Sequence, residues 1–121
     1  MSHKNTLVIG ASARPSQYSH MAVRQLREAG HPVTALGKEA CQIVDVAVET
    51  EFPQHTSIHT VTLYLNPERQ KAYEQQIIDL QPSRIIFNPG TENPEFIRRA
   101  RAIGIDAIEA CTLVMLSVGT Y

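Results

Sequence analysis

The sequence predicts an α/β fold built on a mainly parallel sheet, and three observations carry that expectation. Short apolar, β-branched runs alternate with helical periods of about 10–14 residues. Gly or Pro stands between them, as stop and start signals should. Several runs are apolar throughout, as strands covered by helices on both faces should be.

Each element follows in order. Residues 6–10 form a short apolar run ending in Gly10 and read as a buried strand. A helix is expected over 18–29, where Ala22, Leu26 and Ala29 recur at helical spacing while Arg24, Arg27 and Glu28 fall on other faces; Gly30 stops it. Residues 32–36 make a second strand closed by Gly37, and 43–48 alternates loosely, as a short edge strand would. Residues 60–65 are β-branched and aromatic and are bounded by Asn66-Pro67. Pro67 suits the first turn of a helix through Leu80, with Ala72, Tyr73, Ile77, Ile78 and Leu80 on its apolar side. Another buried run covers 84–88. Pro94 opens a helix with Phe96, Ile97, Ala100 and Ile103 inward and Arg98, Arg99 and Arg101 on a solvated face. Gly104 ends it, 105–109 is a last strand, and 112–118 is a short terminal helix. Strands joined through helices imply right-handed crossovers, so the fold class is a Rossmann-like three-layer sandwich in a single domain.

Composition narrows the function. A chain of 121 residues is the length of one domain and can bury one real core. Eleven Lys and Arg against twelve Asp and Glu give a net charge of −1, without the field of a general nucleic-acid binder. No apolar run approaches the roughly 20 residues that cross a bilayer, and the polar start has no signal-peptide core. Cys41 and Cys111 are too few for a disulfide scaffold and lack metal-ligand spacing. The expectation is a soluble, cytoplasmic domain with no nucleic-acid or membrane partner.

In such sheets ligands bind beyond the carboxyl ends of the strands, near the switch in strand order. The segments that follow the predicted strands are therefore the candidates. The first is Gly10-Ala11-Ser12-Ala13-Arg14-Pro15-Ser16-Gln17-Tyr18, the second Gly37-Lys38-Glu39, the third Asn66-Pro67, the fourth Asn88-Pro89-Gly90-Thr91-Glu92-Asn93, and the last Ala110-Cys111-Thr112. Small residues let a ligand approach the backbone, Arg14 and Lys38 suit phosphate charge, and the start of the first helix adds a partial positive charge. Neither familiar phosphate loop is present. Ser12 and Pro15 stand where the dinucleotide fingerprint has its second and third Gly, and no Gly-Lys-Ser/Thr of a Walker loop occurs. The second strand ends in Leu36-Gly37-Lys38, without the acidic residue that takes the ribose of NAD. Arg14 likewise stands where a nucleophile elbow needs Gly.

These loops resemble those of the small single-domain CoA-binding proteins, related to the CoA-binding domain of the succinyl-CoA synthetase α subunit. The resemblance runs from about residue 6 to 112 and rests on Val8-Ile9-Gly10-Ala11-Ser12 with Pro15, Ala35-Leu36-Gly37-Lys38, Asn66-Pro67, the 88–93 loop and Cys111. The chain departs from the family pattern at Gly37-Lys38, where many members have Asn-Pro, and at Thr112, where Pro often follows the Cys. The resemblance implies coenzyme A as ligand. The implied binding residues are Gly10, Ala11, Ser12, Arg14, Pro15, Gly37, Lys38, Asn66, Pro67, Asn88, Pro89, Gly90, Glu92 and Cys111. Ser12 and the N–H groups after it suit the pyrophosphate, Arg14 and Lys38 phosphate charge, and Leu65 and Pro67 an apolar wall.

Other residues have plainer readings. Cys111 is either an inert buried thiol or a partner for a mixed disulfide with CoA. Cys41 is expected in a surface loop, Tyr18 to pack rather than to stack on a ligand, and Glu92 to cap the helix at Pro94 rather than to act as a base. His20 follows the first loop and stands near the ligand without an acid or nucleophile beside it in sequence. His55 and His59 are four apart, but Pro53 and the β-branched run after them oppose the helix a metal pair would need. No acid–base pair or triad emerges. The expected function is a CoA or acyl-CoA binding or regulatory module without catalysis of its own. A nucleotide-dependent enzyme, NAD-linked or otherwise, and a subunit completed by a homodimer or partner protein remain the alternatives.

Overall fold

The structure, a computed structural model, describes residues 3–54 and 57–121. Among these residues a seven-stranded sheet runs in the order β3-β4-β2-β1-β5-β6-β7. The strands are β1 (Thr6–Ala11), β2 (Val33–Gly37), β3 (Cys41–Ile43), β4 (Val46–Glu49), β5 (Thr60–Leu63), β6 (Arg84–Phe87) and β7 (Asp106–Glu109). Every neighbouring pair is parallel except β3 with β4. The chain winds outward from β1 in both directions, to β2 on one side and to β5 on the other. The switch in strand order therefore lies at β1, as the Rossmann-like reading requires.

Alternation along the strands builds two cores. Leu7 and Ile9 of β1 face one layer with Val61, Leu63, Ile85 and Phe87. That layer is covered by Ile77 of α3 (Glu74–Leu80) and by Phe96, Ile97 and Ala100 of α4 (Pro94–Ala102). Val8 faces the other layer, under Val23 and Leu26 of α1 (Tyr18–Glu28) and Leu116 of α5 (Thr112–Val118).

Four local readings are corrected. The single edge strand expected over 43–48 is a hairpin, because Val44 takes a left-handed φ of 56° and turns β3 back antiparallel on β4. Cys41 thus sits in β3 and not in a loop. The helix expected from Pro67 to Leu80 is broken into α2 (Pro67–Gln70) and α3, and Ala72 lies exposed between them rather than on an apolar side. Ile103 is 56% exposed at the end of α4, past the buried stripe. On that helix Arg98, Arg99 and Arg101 are exposed as expected, with Arg99 also pairing with Glu74 at 2.6 Å and Arg101 donating to Ala107 O.

The amino edge of the sheet, opposite the carboxyl ends, gathers basic groups around Tyr121. Arg84 packs over the Tyr121 ring at 4.4 Å and donates to Thr60 Oγ1 and Tyr121 O. His31 Nδ1 accepts the Lys4 N–H at 3.0 Å, so that nitrogen carries no proton. Burial, reinforced by Lys4, His3 and Arg84, holds His31 below the ordinary imidazole range. Burial with Arg84 and Lys4 does the same to His59. The unfolded chain therefore takes up protons that the folded chain refuses as pH drops through about 6.5. Stability should be full above that range and fall below it. Urea midpoints at pH 7.5 and 5.5 check this: His31→Asn should flatten part of the difference, and an unchanged difference would remove His31 as a cause.

Candidate functional site

A cleft of about 820 Å³ opens at the carboxyl edge around the end of β1. Its floor is Ile9, Gly10 and Ala11; one wall runs from Leu36 to Cys41, and the other carries Tyr64, Leu65 and α2. A smaller cavity of about 350 Å³ adjoins it and is walled by the start of α1, Asn66 and the Pro89–Gly90–Thr91 segment. The two share Gly10, Gln17, Tyr64, Leu65 and Arg69, so they form one continuous groove across the switch point.

The floor is set by glycine. Gly10 has φ +96° where the β1–β2 register shifts, and a Cβ there would press on Leu65 Cδ2 and the Tyr64 backbone at 3.1 Å. A Cβ on Gly37 would run into the Ala11 carbonyl oxygen. Both positions are thus constrained by the protein's own backbone, whatever they do for a ligand. Gly90 differs: its φ is +92°, but nothing stands within 4 Å of where a Cβ would be.

The first loop is braced internally. Ser12 Oγ accepts the Arg14 N–H at 3.1 Å, and His20 Nδ1 meets Ser12 O at 2.9 Å from the buried side of α1. His20 therefore positions the loop. No side chain caps α1, whereas Asn66 caps α2 and Asn93 caps α4. The first-turn N–H groups of α1 are left to meet solvent or a ligand, with the partial positive charge of a helix start.

The groove's charges are mixed. The large cleft carries Arg14, Lys38 and Arg69 together with Glu39 and Glu68. Glu68 pairs with Lys71 at 3.3 Å. Among the described residues, the side chains of Arg14, Lys38 and Arg69 make no hydrogen bond or ion pair. At the junction, the Tyr64 hydroxyl is buried and has no hydrogen-bond partner among the described residues. Burial pushes its phenol up to about 12, so it stays protonated at neutral pH.

The groove gathers Gly10, Ala11, Ser12, Arg14, Gly37, Lys38, Asn66, Pro89 and Gly90. The other candidates stand beside it without lining either cavity. Pro15 is exposed in the first loop, and Pro67 opens α2. Glu92 accepts the Gly90 N–H at 2.9 Å, and Asn93, not Glu92, caps α4 by accepting the Phe96 N–H. Cys111 is half-buried at the start of α5, behind Tyr64. Tyr18 is 69% exposed at the smaller cavity and does not pack. Asn88 is buried, with all of its carboxamide bonding spent inside the protein. Nδ2 donates to Thr62 Oγ1 and Leu63 O, and Oδ1 accepts the Thr112 N–H.

Sequence reading placed Gln17 in the first candidate segment but did not single out Tyr64, Arg69 or Cys41 as lining residues. Arg69 was the most accessible of these: a cation in the first turn after Asn66-Pro67 must stand at the carboxyl edge. Among the described residues no group of three or more His, Cys, Asp or Glu is placed to hold a metal, and His55 lies outside them. No helix among them is long and apolar enough to cross a membrane.

A family model for the CoA binding domain matches residues 4–117. The chain belongs to the CoA-binding domain family. The same fold recurs along the whole chain in an uncharacterized protein of known crystal structure, 37% identical, TM-score 0.96, each chain covered in full. It recurs in a Thermus thermophilus protein, cell-free ID.343, at 19% identity and TM-score 0.87, over 98% of this chain and 91% of that one. A region of the dinucleotide-forming acetyl-coenzyme A synthetase 1 of Ca. Korarchaeum cryptofilum shares it at 15% identity and TM-score 0.73. That match covers 90% of this CoA-binding domain protein and 26% of the synthetase chain. No curated protein matches it at a significant level.

The Asn88 network gives a direct test. Asn88→Leu leaves the buried Leu63 carbonyl, Thr112 N–H and Thr62 hydroxyl short of a partner and should cost roughly 3 kcal/mol in urea unfolding. A loss under about 1 kcal/mol would show that these groups find other partners.

Proposed function

We propose that the chain binds coenzyme A or an acyl-CoA in this groove and acts as a binding or regulatory module without chemistry of its own. The observation that carries the reading is the groove of this CoA-binding domain. It lies at the switch point, between an uncapped α1 and cations free of internal partners. A ligand bearing a pyrophosphate, a further phosphate and a long uncharged arm matches both its charge and its length.

In this reading the pyrophosphate lies against Gly10–Arg14 and the start of α1, where backbone donors and a helix start favour anions. Arg14 and Lys38, on the β2 side, meet phosphate charge. The arm crosses Gly10 and Leu65 toward Asn66, Pro89 and Gly90. Pro15, Pro67, Asn88, Glu92 and Cys111 act from behind, by shaping the loops. The groove is open to solvent, and a second copy or a partner protein would cover it. Tyr64 offers no base, because its hydroxyl is buried and held protonated.

Calorimetric titration with CoA and dephospho-CoA tests this. Arg14→Gln with Lys38→Gln should weaken CoA roughly tenfold at low salt, the lower range for exposed charge-assisted contacts. Dephospho-CoA should be weakened less if either cation meets the 3′-phosphate, and equally if both meet the pyrophosphate. The loss should shrink at high salt, because exposed charges are screened. No binding of CoA at millimolar concentration overturns the reading. Unchanged affinities in the double variant remove these two cations from the site.

A further inference from the structure

We infer that the groove prefers a CoA thioester whose acyl group ends in a carboxylate, and that Arg69 is the residue that selects it. This rests on the CoA reading above and adds the chemical class of the acyl group. The smaller cavity carries the argument. Arg69 is the one charged residue among the described residues that line it, and the remaining polar side chains there, Gln17, Ser19, Asn66 and Thr91 among them, are neutral. A guanidinium in such a chamber presents a planar fork of donors that matches a carboxylate.

Arg69 is held in place without being used up. Its N–H donates to Asn66 Oδ1 at 2.9 Å, which fixes the turn of α2 that bears it. The next residue, Gln70, is fully buried. Gln70 Nε2 donates to Leu65 O and Thr91 O, each at 2.8 Å, and its Oε1 accepts from Asn93 Nδ2. These bonds lock α2 to the loop forming the far wall of the cavity. The nearest acid in sequence, Glu68, is engaged with Lys71. The Arg69 guanidinium has no internal partner among the described residues.

Position separates Arg69 from the phosphate cations. Arg14 and Lys38 line only the large cleft, while Arg69 also faces the smaller cavity. With the nucleotide end over β2 and the first loop, the arm delivers its thiol end into the smaller cavity. Its volume of about 350 Å³ is enough for a short acyl group. A short acyl group with a terminal carboxylate is the occupant that satisfies the guanidinium.

Calorimetric titration of the wild-type chain and Arg69→Gln with CoA, isovaleryl-CoA, malonyl-CoA and succinyl-CoA tests this. Isovaleryl is close in shape to malonyl but uncharged. The wild-type chain should bind the carboxylated thioesters about tenfold more tightly than isovaleryl-CoA, the scale of one partly exposed charge-assisted contact. Arg69→Gln should erase that preference, weakening malonyl-CoA and succinyl-CoA about tenfold more than CoA or isovaleryl-CoA, with the melting temperature unchanged. CoA binding without preference for either carboxylated thioester overturns the inference and leaves the CoA reading standing. An equal loss for all four ligands in Arg69→Gln also overturns it and assigns Arg69 to a phosphate. Binding of none of the four overturns both readings.

Discussion

The buried carboxamide of Asn88 ties β5, the end of β6 and the start of α5 together at the carboxyl edge. It follows β6 and bonds outward to β5 through Thr62 and Leu63, and to the start of α5 through the Thr112 N–H. Its backbone oxygen accepts both the N–H and the hydroxyl of Thr91, closing the loop that walls the smaller cavity. A carboxamide has two donors and an acceptor on one short stem, and all are needed here. Asp would lack the donors and Leu would lack everything. Thr62 and Thr112 complete the set through a 2.8 Å bond between their hydroxyls. The α5 side of the sheet is therefore polar where it meets β5 and β6, and only a fully satisfied network tolerates that depth.

Glycine does separate work on either side of β1. At Gly10 and Gly37 the missing Cβ is what allows β1, β2 and the segment after β5 to converge, so the groove's floor is a packing solution first. At Gly90 the backbone conformation alone asks for glycine, and the space beyond is open. The same residue type thus closes the floor in one place and leaves room in another.

Much of this was readable in the sequence because the parallel strands are short, apolar and punctuated. Residues 6–10, 60–65 and 84–88 stand out by β-branched content, and Gly30, Gly104 and Pro94 mark helix limits. The failures share a physical cause. The reversal at Val44 needs a positive φ at a β-branched residue, which no local preference signals. The break between α2 and α3 is imposed by tertiary bonding of Gln70, while the 67–80 segment keeps a helical period throughout. In the groove, sequence order located the loops after the strands, but it did not separate residues that line a cavity from those that brace it. Asn88 and Gly90 lie two apart in one loop; the first is consumed by internal bonds and the second lines the smaller cavity. Arg69 escaped notice because its significance depends on which internal acids are already taken.

The Gln70 bonds leave the groove mechanically lopsided. On the α2 side, Leu65, Gln70, Thr91 and Asn93 are cross-linked through one buried amide, so that jaw moves as a unit. On the β2 side, Lys38, Glu39 and Ala40 are exposed, between the end of β2 and the start of the edge hairpin. The two walls of the groove thus differ in how much internal bonding holds them.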